Sequence, residues 1–247
     1  PLIHLFGASV MDDAGRVVLR RKGLLSVSPS EYDDELEQEM FSQAAQIDWS
    51  LRAQGYIEPA RFKILSEHFP SLGDLAFIVK DNPFVPEGHE LIFLKGIHAG
   101  MHGDFMVASH LLVPQLENSI RQIMMTHGVD VRNLEGDGTQ PLKILGPLLG
   151  MTEAKSIFGE SLLFELRGAL LEKSGFNFRN QLAHGFVDVA SCHSSPGVNL
   201  WWLTIRLCLF PIIAFMVQHG QLARGELMVK AIDDTLEGES NAENPEE

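Results

Sequence analysis

From residue 87 onward apolar positions recur at helical spacing, and that pattern predicts an almost purely α-helical region. The first 25 residues read differently. IHLFGASV and RVVLRR flank Asp12-Asp13-Ala14-Gly15, a turn sequence, and predict a β-hairpin. Ser28-Pro29-Ser30 closes it and offers a cap for a helix from about Glu31 to Gln54. In that helix Leu36, Met40, Ala44, Ile47 and Leu51 keep helical spacing. A second short helix is expected from Pro59 to His68, and Gly73-Asp74 through Pro86 reads as a connection with the apolar run LAFIV.

An apolar helix is expected from Glu87 to Met101. His102-Gly103-Asp104 interrupts it, and a long helix follows to about His127, with Gly128 as its stop. Residues 129–158 read as a loop with one or two short helices. Gly159 to Ser174 is expected to be a helix with Leu162, Leu163, Leu166 and Leu170 on one face. Gly175 ends it and Asn177 is placed to cap the next helix. Ser191 to Gly197 reads as a turn before an apolar helix around Trp201 that Gly220 ends. The resulting organisation is an N-terminal region over 1–85, a helical domain over 86–232 and an acidic, disordered tail over 233–247.

Charge changes this picture in one respect. The net charge of −14 speaks against a broad electrostatic nucleic-acid surface. The acids are concentrated, however: seven lie between Asp233 and Glu247 and six between Glu31 and Glu39. Between Glu160 and Arg206 the charges nearly balance, so any anion site there is small and local. Two cysteines, Cys192 and Cys208, supply neither a disulfide framework nor a four-cysteine zinc site, and a reduced cytoplasmic protein is expected. The stretch Leu200 to Val217 has the apolarity of a membrane span but carries Arg206, which costs about 2.5–3.5 kcal/mol at mid-bilayer depth. A buried core helix, with no membrane partner, is the expectation. The chain begins at Pro1 without a basic, then apolar, leader, and it reads as the C-terminal part of a longer polypeptide.

The chemistry concentrates in Asn177-Phe178-Arg179-Asn180-Gln181-Leu182-Ala183-His184-Gly185. A cation in the first turn of a helix opposes the helix dipole, so Arg179 makes sense there if an anion binds. Asn180 and His184 are four apart and can share a face. Histidine is the side chain suited to moving protons near neutral pH. In two other Arg-to-His spacings, Arg61 with His68 and Arg121 with His127, the arginines are followed by Phe62 and Gln122, and neither pair opens a helix behind a capping asparagine.

FNFRNQLAHG resembles the signature of the HEPN superfamily: an Arg, a polar residue, a short spacer and a His. The segment from Gly103 to Phe186 also resembles a bacterial HEPN-type family of unknown function. The matching pieces are Gly103-Asp104, HLLVPQLE from His110 to Glu117, Arg121, and Gly175 through Gly185. The resemblance implies an antiparallel four- or five-helix bundle over about 86–220 that dimerises, lines a cleft with the Arg and His of both protomers, and cuts RNA without a metal. Arg179 would then bind the scissile phosphate, His184 would move protons, and Asn180 would orient His184 or the phosphate. Asn177, Glu117 and Arg121 would support the site. The implied products are a 2′,3′-cyclic phosphate and a 5′-OH. The implied setting is toxin activity or antiviral defence. The expected partners are an RNA substrate, a second copy, and a regulatory partner or the N-terminal part of the full-length protein. No cofactor is expected.

Two alternatives stand beside this reading. One is a catalytically silent HEPN module that binds RNA or nucleotide, or scaffolds a partner. The other is a metal hydrolase built on His98 and His102 with Asp104 and His110, two of its histidines being one helical turn apart. Glu117 and Arg121 are spaced for an intrahelical ion pair, Cys192-His193 lacks a partner set, and Trp201-Trp202 reads as core and dimer packing rather than a base-stacking platform.

Overall fold

Side-chain caps at Ser71, Asp104 and Asp188 and left-handed glycines mark several helix ends in this protein, whose computed structural model describes residues 8–11, 17–21, 28, 31–133 and 139–220. Strands β1 (Ala8–Met11) and β2 (Val17–Arg21) pair antiparallel, Ala8 opposite Arg21, with an irregularity between Val10 and Met11. Their Asp12–Gly15 connection and the acidic tail lie outside the described residues. The remaining elements are helical, and the chain is mainly α.

The largest departure from the sequence pattern is in the first helical run. Instead of two helices there is one continuous run: α1 (Tyr32–Gln43), a π turn (Ala44–Asp48), α2 (Trp49–Arg52), a second π turn (Ala53–Ile57) and α3 (Glu58–His68). Pro59 sits at the start of α3, where its missing N–H is tolerated. The apolar stripe read from the sequence faces outward: Met40, Ile47 and Leu51 are exposed, and only Ala44 of that set is buried. Phe41, Ala45, Trp49, Ala53 and Ile57 are buried in its place. On an ideal helix a row at spacing four drifts by about 40° per step. The two π turns each accommodate an extra residue and offset that drift, holding the row on the core. Asn199, itself buried, donates to the Trp49 carbonyl at 2.8 Å and ties the run to the core.

A short helix, α4 (Leu72–Leu75), is opened by a Ser71–Asp74 capping box. Helices α5 (Glu90–Met101) and α6 (Phe105–Thr126) form the centre, joined at Gly103 with a left-handed φ of 85°. Asp104 caps α6 by accepting from the Val107 N–H at 3.0 Å. After Gly128 the chain passes through short helices α7 (Leu145–Leu149) and α8 (Thr152–Phe158) into α9 (Glu160–Leu170). Helices α10 (Phe178–Ala183) and α11 (Val189–Cys192) follow, the latter not expected from the sequence and overlapping only the start of the turn expected over Ser191 to Gly197. The last is α12 (Ser195–Gln218).

Phe93 and Ile97 of α5, Leu112, Leu116, Ile120 and Met124 of α6, Leu166 and Leu170 of α9, and Leu200, Trp201 and Leu203 of α12 share one core with Ala53 and Ile57. Burying each large side chain contributes about 1.5–3 kcal/mol. Residues 53–85 therefore contribute to the same core as the helical region that follows. Helix α12 has the length and apolarity of a membrane span, with mean hydropathy 2.0. In the fold its first part is in the core, Arg206 pairs with Glu165, and Phe210, Ile213 and Phe215 at its far end are exposed.

Candidate functional site

The segment that carries Arg179 is held by its own backbone. The Phe176 N–H donates to the Gly168 carbonyl at 2.8 Å, folding the loop after α9 back onto that helix. Gly175 lies so close that a Cβ there would sit 2.1 Å from the same carbonyl oxygen. Asn177 then takes a left-handed conformation, φ 51°, which asparagine adopts more readily than most residues. Its side chain does not cap α10, contrary to the sequence expectation. The left-handed turn points it elsewhere: its Oδ1 accepts from Asn180 Nδ2 at 2.8 Å. Phe178, 2% exposed, anchors the first turn in the core.

From this turn Arg179 reaches across to α6. Its Nε lies 3.0 Å and its Nη2 2.9 Å from Oε2 of Glu117. Its Nη1 donates to Asn180 Oδ1 at 3.1 Å. The other carboxylate oxygen of Glu117 accepts from Arg121 Nη2 at 2.8 Å. Arg121 also approaches the Lys143 carbonyl at 3.4 Å, while its Nε is buried and meets no acceptor among the described residues. One carboxylate thus serves two guanidiniums, leaving a surplus positive charge in a chain of net charge −14. The anion that the position of Arg179 calls for is present within the chain itself, as Glu117.

Five of the six sequence-derived residues form one bonded chain: Arg121, Glu117, Arg179, Asn180 and Asn177. His184 stands apart. It is exposed, and its ring lies beside Phe186 with centroids 5.7 Å apart. Its only contact with Asn180 in this set is between backbones, His184 N–H to the Asn180 carbonyl at 3.1 Å. The expected side-chain contact between them is absent because Asn180 spends its amide on Arg179, Asn177 and the Leu171 carbonyl.

The other sequence candidates resolve into structural roles. Arg61 is buried, paired with Glu58 and donating to the Met101 carbonyl at 3.0 Å. The rings of His98 and His102 lie 4.3 Å apart, but His102 Nε2 contacts the Pro70 carbonyl at 2.8 Å. Asp104 is occupied as a cap, and His110 Nδ1 contacts the Met106 carbonyl. Burial first, and the neighbouring His102 second, hold the His98 ring below its ordinary pKa. Among the described residues no group of three His, Cys, Asp or Glu side chains is arranged to hold a metal. Trp201 is core, its Nε1 donating to the Ile97 carbonyl at 2.9 Å.

A second doubly paired carboxylate escaped the sequence reading. Glu165 of α9 takes Arg52 Nη2 on one oxygen and Arg206 Nη2 on the other, each at 2.5 Å. These partners are 113 and 41 residues away, so no local spacing marks them.

No family model matches the chain, and no curated protein or solved structure is similar to it at a significant level.

Proposed function

We propose that this chain is a metal-independent endoribonuclease of HEPN type, with Arg179 as the phosphate-binding residue and His184 as the proton carrier. The observation that carries the reading is the Glu117 bridge. It holds Arg179 and Arg121 on either side of one carboxylate while His184, on the same short segment as Arg179, stays open to solvent. The remaining N–H groups of Arg179 would meet a phosphate oxygen. The ribose 2′-OH then attacks phosphorus as a histidine takes its proton, and the 5′ oxygen leaves with a proton, giving a cyclic phosphate and a 5′-OH. Two His184 side chains, one from each protomer of a dimer, would divide the base and acid roles. The exposed apolar end of α12, with Phe210, Ile213 and Phe215, supports such pairing. A second reading is favoured by one feature. Arg179 is already engaged by Glu117 and Asn180, as in a silent module that binds RNA or nucleotide or scaffolds a partner.

The test is cleavage of a mixed-sequence RNA by the purified chain in EDTA. Cyclic-phosphate ends formed by the wild type and lost in His184→Ala support the nuclease. RNA binding without cleavage by either protein supports the silent module. Cleavage that requires a divalent ion overturns the metal-independent mechanism.

A further inference from the structure

Away from the Arg179 segment, the end of α6, the start of α9 and the middle of α12 enclose an open cavity of about 730 Å³. Phe84, Ile123, Phe158, Leu162, Leu203 and Leu207 make its walls apolar. Its volume falls in the range of about 300–1,000 Å³ typical of small-molecule sites. Arg206 and Glu165 also line it.

Arg206 is incompletely satisfied there. Its Nη2 is held by Glu165, but its Nε is buried and meets no acceptor among the described residues. That Nε is shut off from the cavity, so a ligand head group would meet the other N–H groups of the guanidinium, whose side chain is 37% exposed. Glu165 is a poor candidate to neutralise Arg206 fully, because its second oxygen is taken by Arg52. Arg52 is in turn fixed by two contacts to Asn199 Oδ1, at 3.3 and 3.1 Å. The trio of Arg52, Glu165 and Arg206 carries one surplus positive charge beside an apolar cavity.

We propose that this cavity binds a small hydrophobic carboxylate of the medium-chain fatty-acid class, its head group at Arg206 and its alkyl chain against the apolar walls. The apolar walls favour the alkyl chain, and the partly exposed Arg206 guanidinium, with the surplus charge of its trio, selects an anionic head over a neutral one. The site is independent of the proposed nuclease chemistry.

Calorimetric titration of the full chain with decanoate, and with decanol as the neutral control, tests this. Decanoate should bind, with decanol weaker by about tenfold or more, since a charged hydrogen bond is worth about 1.5–3 kcal/mol. Arg206→Met should remove the preference for decanoate. Leu162→Trp, which fills the cavity from a half-buried wall position and leaves Arg206 in place, should abolish binding of both. Circular dichroism melts establish that each variant is folded, and Leu162→Trp carries the test if Arg206→Met is not. No decanoate binding, equal binding of decanol, or undiminished decanoate binding to a folded Leu162→Trp overturns the proposal.

Discussion

Glu117 and Arg179 are 62 residues apart in the chain, yet the Arg179 Nη2 lies 2.9 Å from the Glu117 Oε2. This contact pins α10 to α6, and the same carboxylate also neutralises Arg121. Removing Glu117 leaves two half-buried guanidiniums facing each other. Glu117→Ala should destabilise the fold by about 2–3 kcal/mol, somewhat less than for a fully buried pair. Arg179→Ala should cost less, because Glu117 keeps Arg121 as a partner. Urea unfolding midpoints measure both, and the reverse ranking would contradict the bridging role.

For the proposed nuclease, His184 and Arg179 should separate cleanly. His184 is exposed, so His184→Ala should change stability by no more than about 0.5 kcal/mol. The same change should lower RNA cleavage by about 10²–10⁴-fold. Arg179→Lys keeps the charge but loses the planar fork that meets Glu117, and it should not restore cleavage. His127→Ala and His68→Ala serve as controls and should cleave as the wild type does. Single-turnover cleavage rates with melting curves on the same samples check all four.

Packing between α5 and α12 gives a test of the core. A Cβ at Gly100 would sit 2.2 Å from Cδ1 of Trp201, whose Nε1 is fixed on the Ile97 carbonyl at 2.9 Å. The indole cannot retreat without losing that bond, so Gly100→Ala should cost about 1–3 kcal/mol by overpacking. At Gly146 in α7 nothing lies within 4 Å of the added methyl. Gly146→Ala should be neutral or stabilising by up to about 1 kcal/mol. Thermal melts of the pair compare the two helices directly.

The two thiols should report on global unfolding. Cys192 and Cys208 are buried, and burial pushes the Cys208 thiol up to about 12 and raises that of Cys192. At neutral pH the reactive thiolate is then scarce and inaccessible. Iodoacetamide should label neither in the native protein and both in urea, with mass spectrometry following the label. Rapid labelling of Cys208 without denaturant would mean that α12 opens locally.

Much of the local structure was legible because its causes are local. Asp104 and Gly128 bound α6 as expected, and the leucines of α9 keep one face toward the core. Arg179-Asn180, with Glu117 and Arg121, was legible as a set of residue types, since the amide and the helical spacing are visible in the string. The linkage among them was not, because it depends on α10 meeting α6 across a loop held at Gly168 and Gly175.

By itself, then, the sequence determined several helix ends, such as those of α6, and which side chains are available for chemistry, since capping, glycine conformations and periodicity act within a few residues. Tertiary structure decided which of two apolar faces between Tyr32 and His68 is buried. Leu36, Met40, Ile47 and Leu51 satisfy an α-helical period, but Phe41, Ala45, Trp49, Ala53 and Ile57 win the core through two π turns and contacts with Phe164, Phe176 and Asn199. It also decided that Asn177 turns left-handed, that Asn180 serves Arg179 rather than His184, and that Glu165 joins Arg52 to Arg206. Each depends on a partner distant in sequence, and spacing along one chain carries no record of which distant groups packing will bring together.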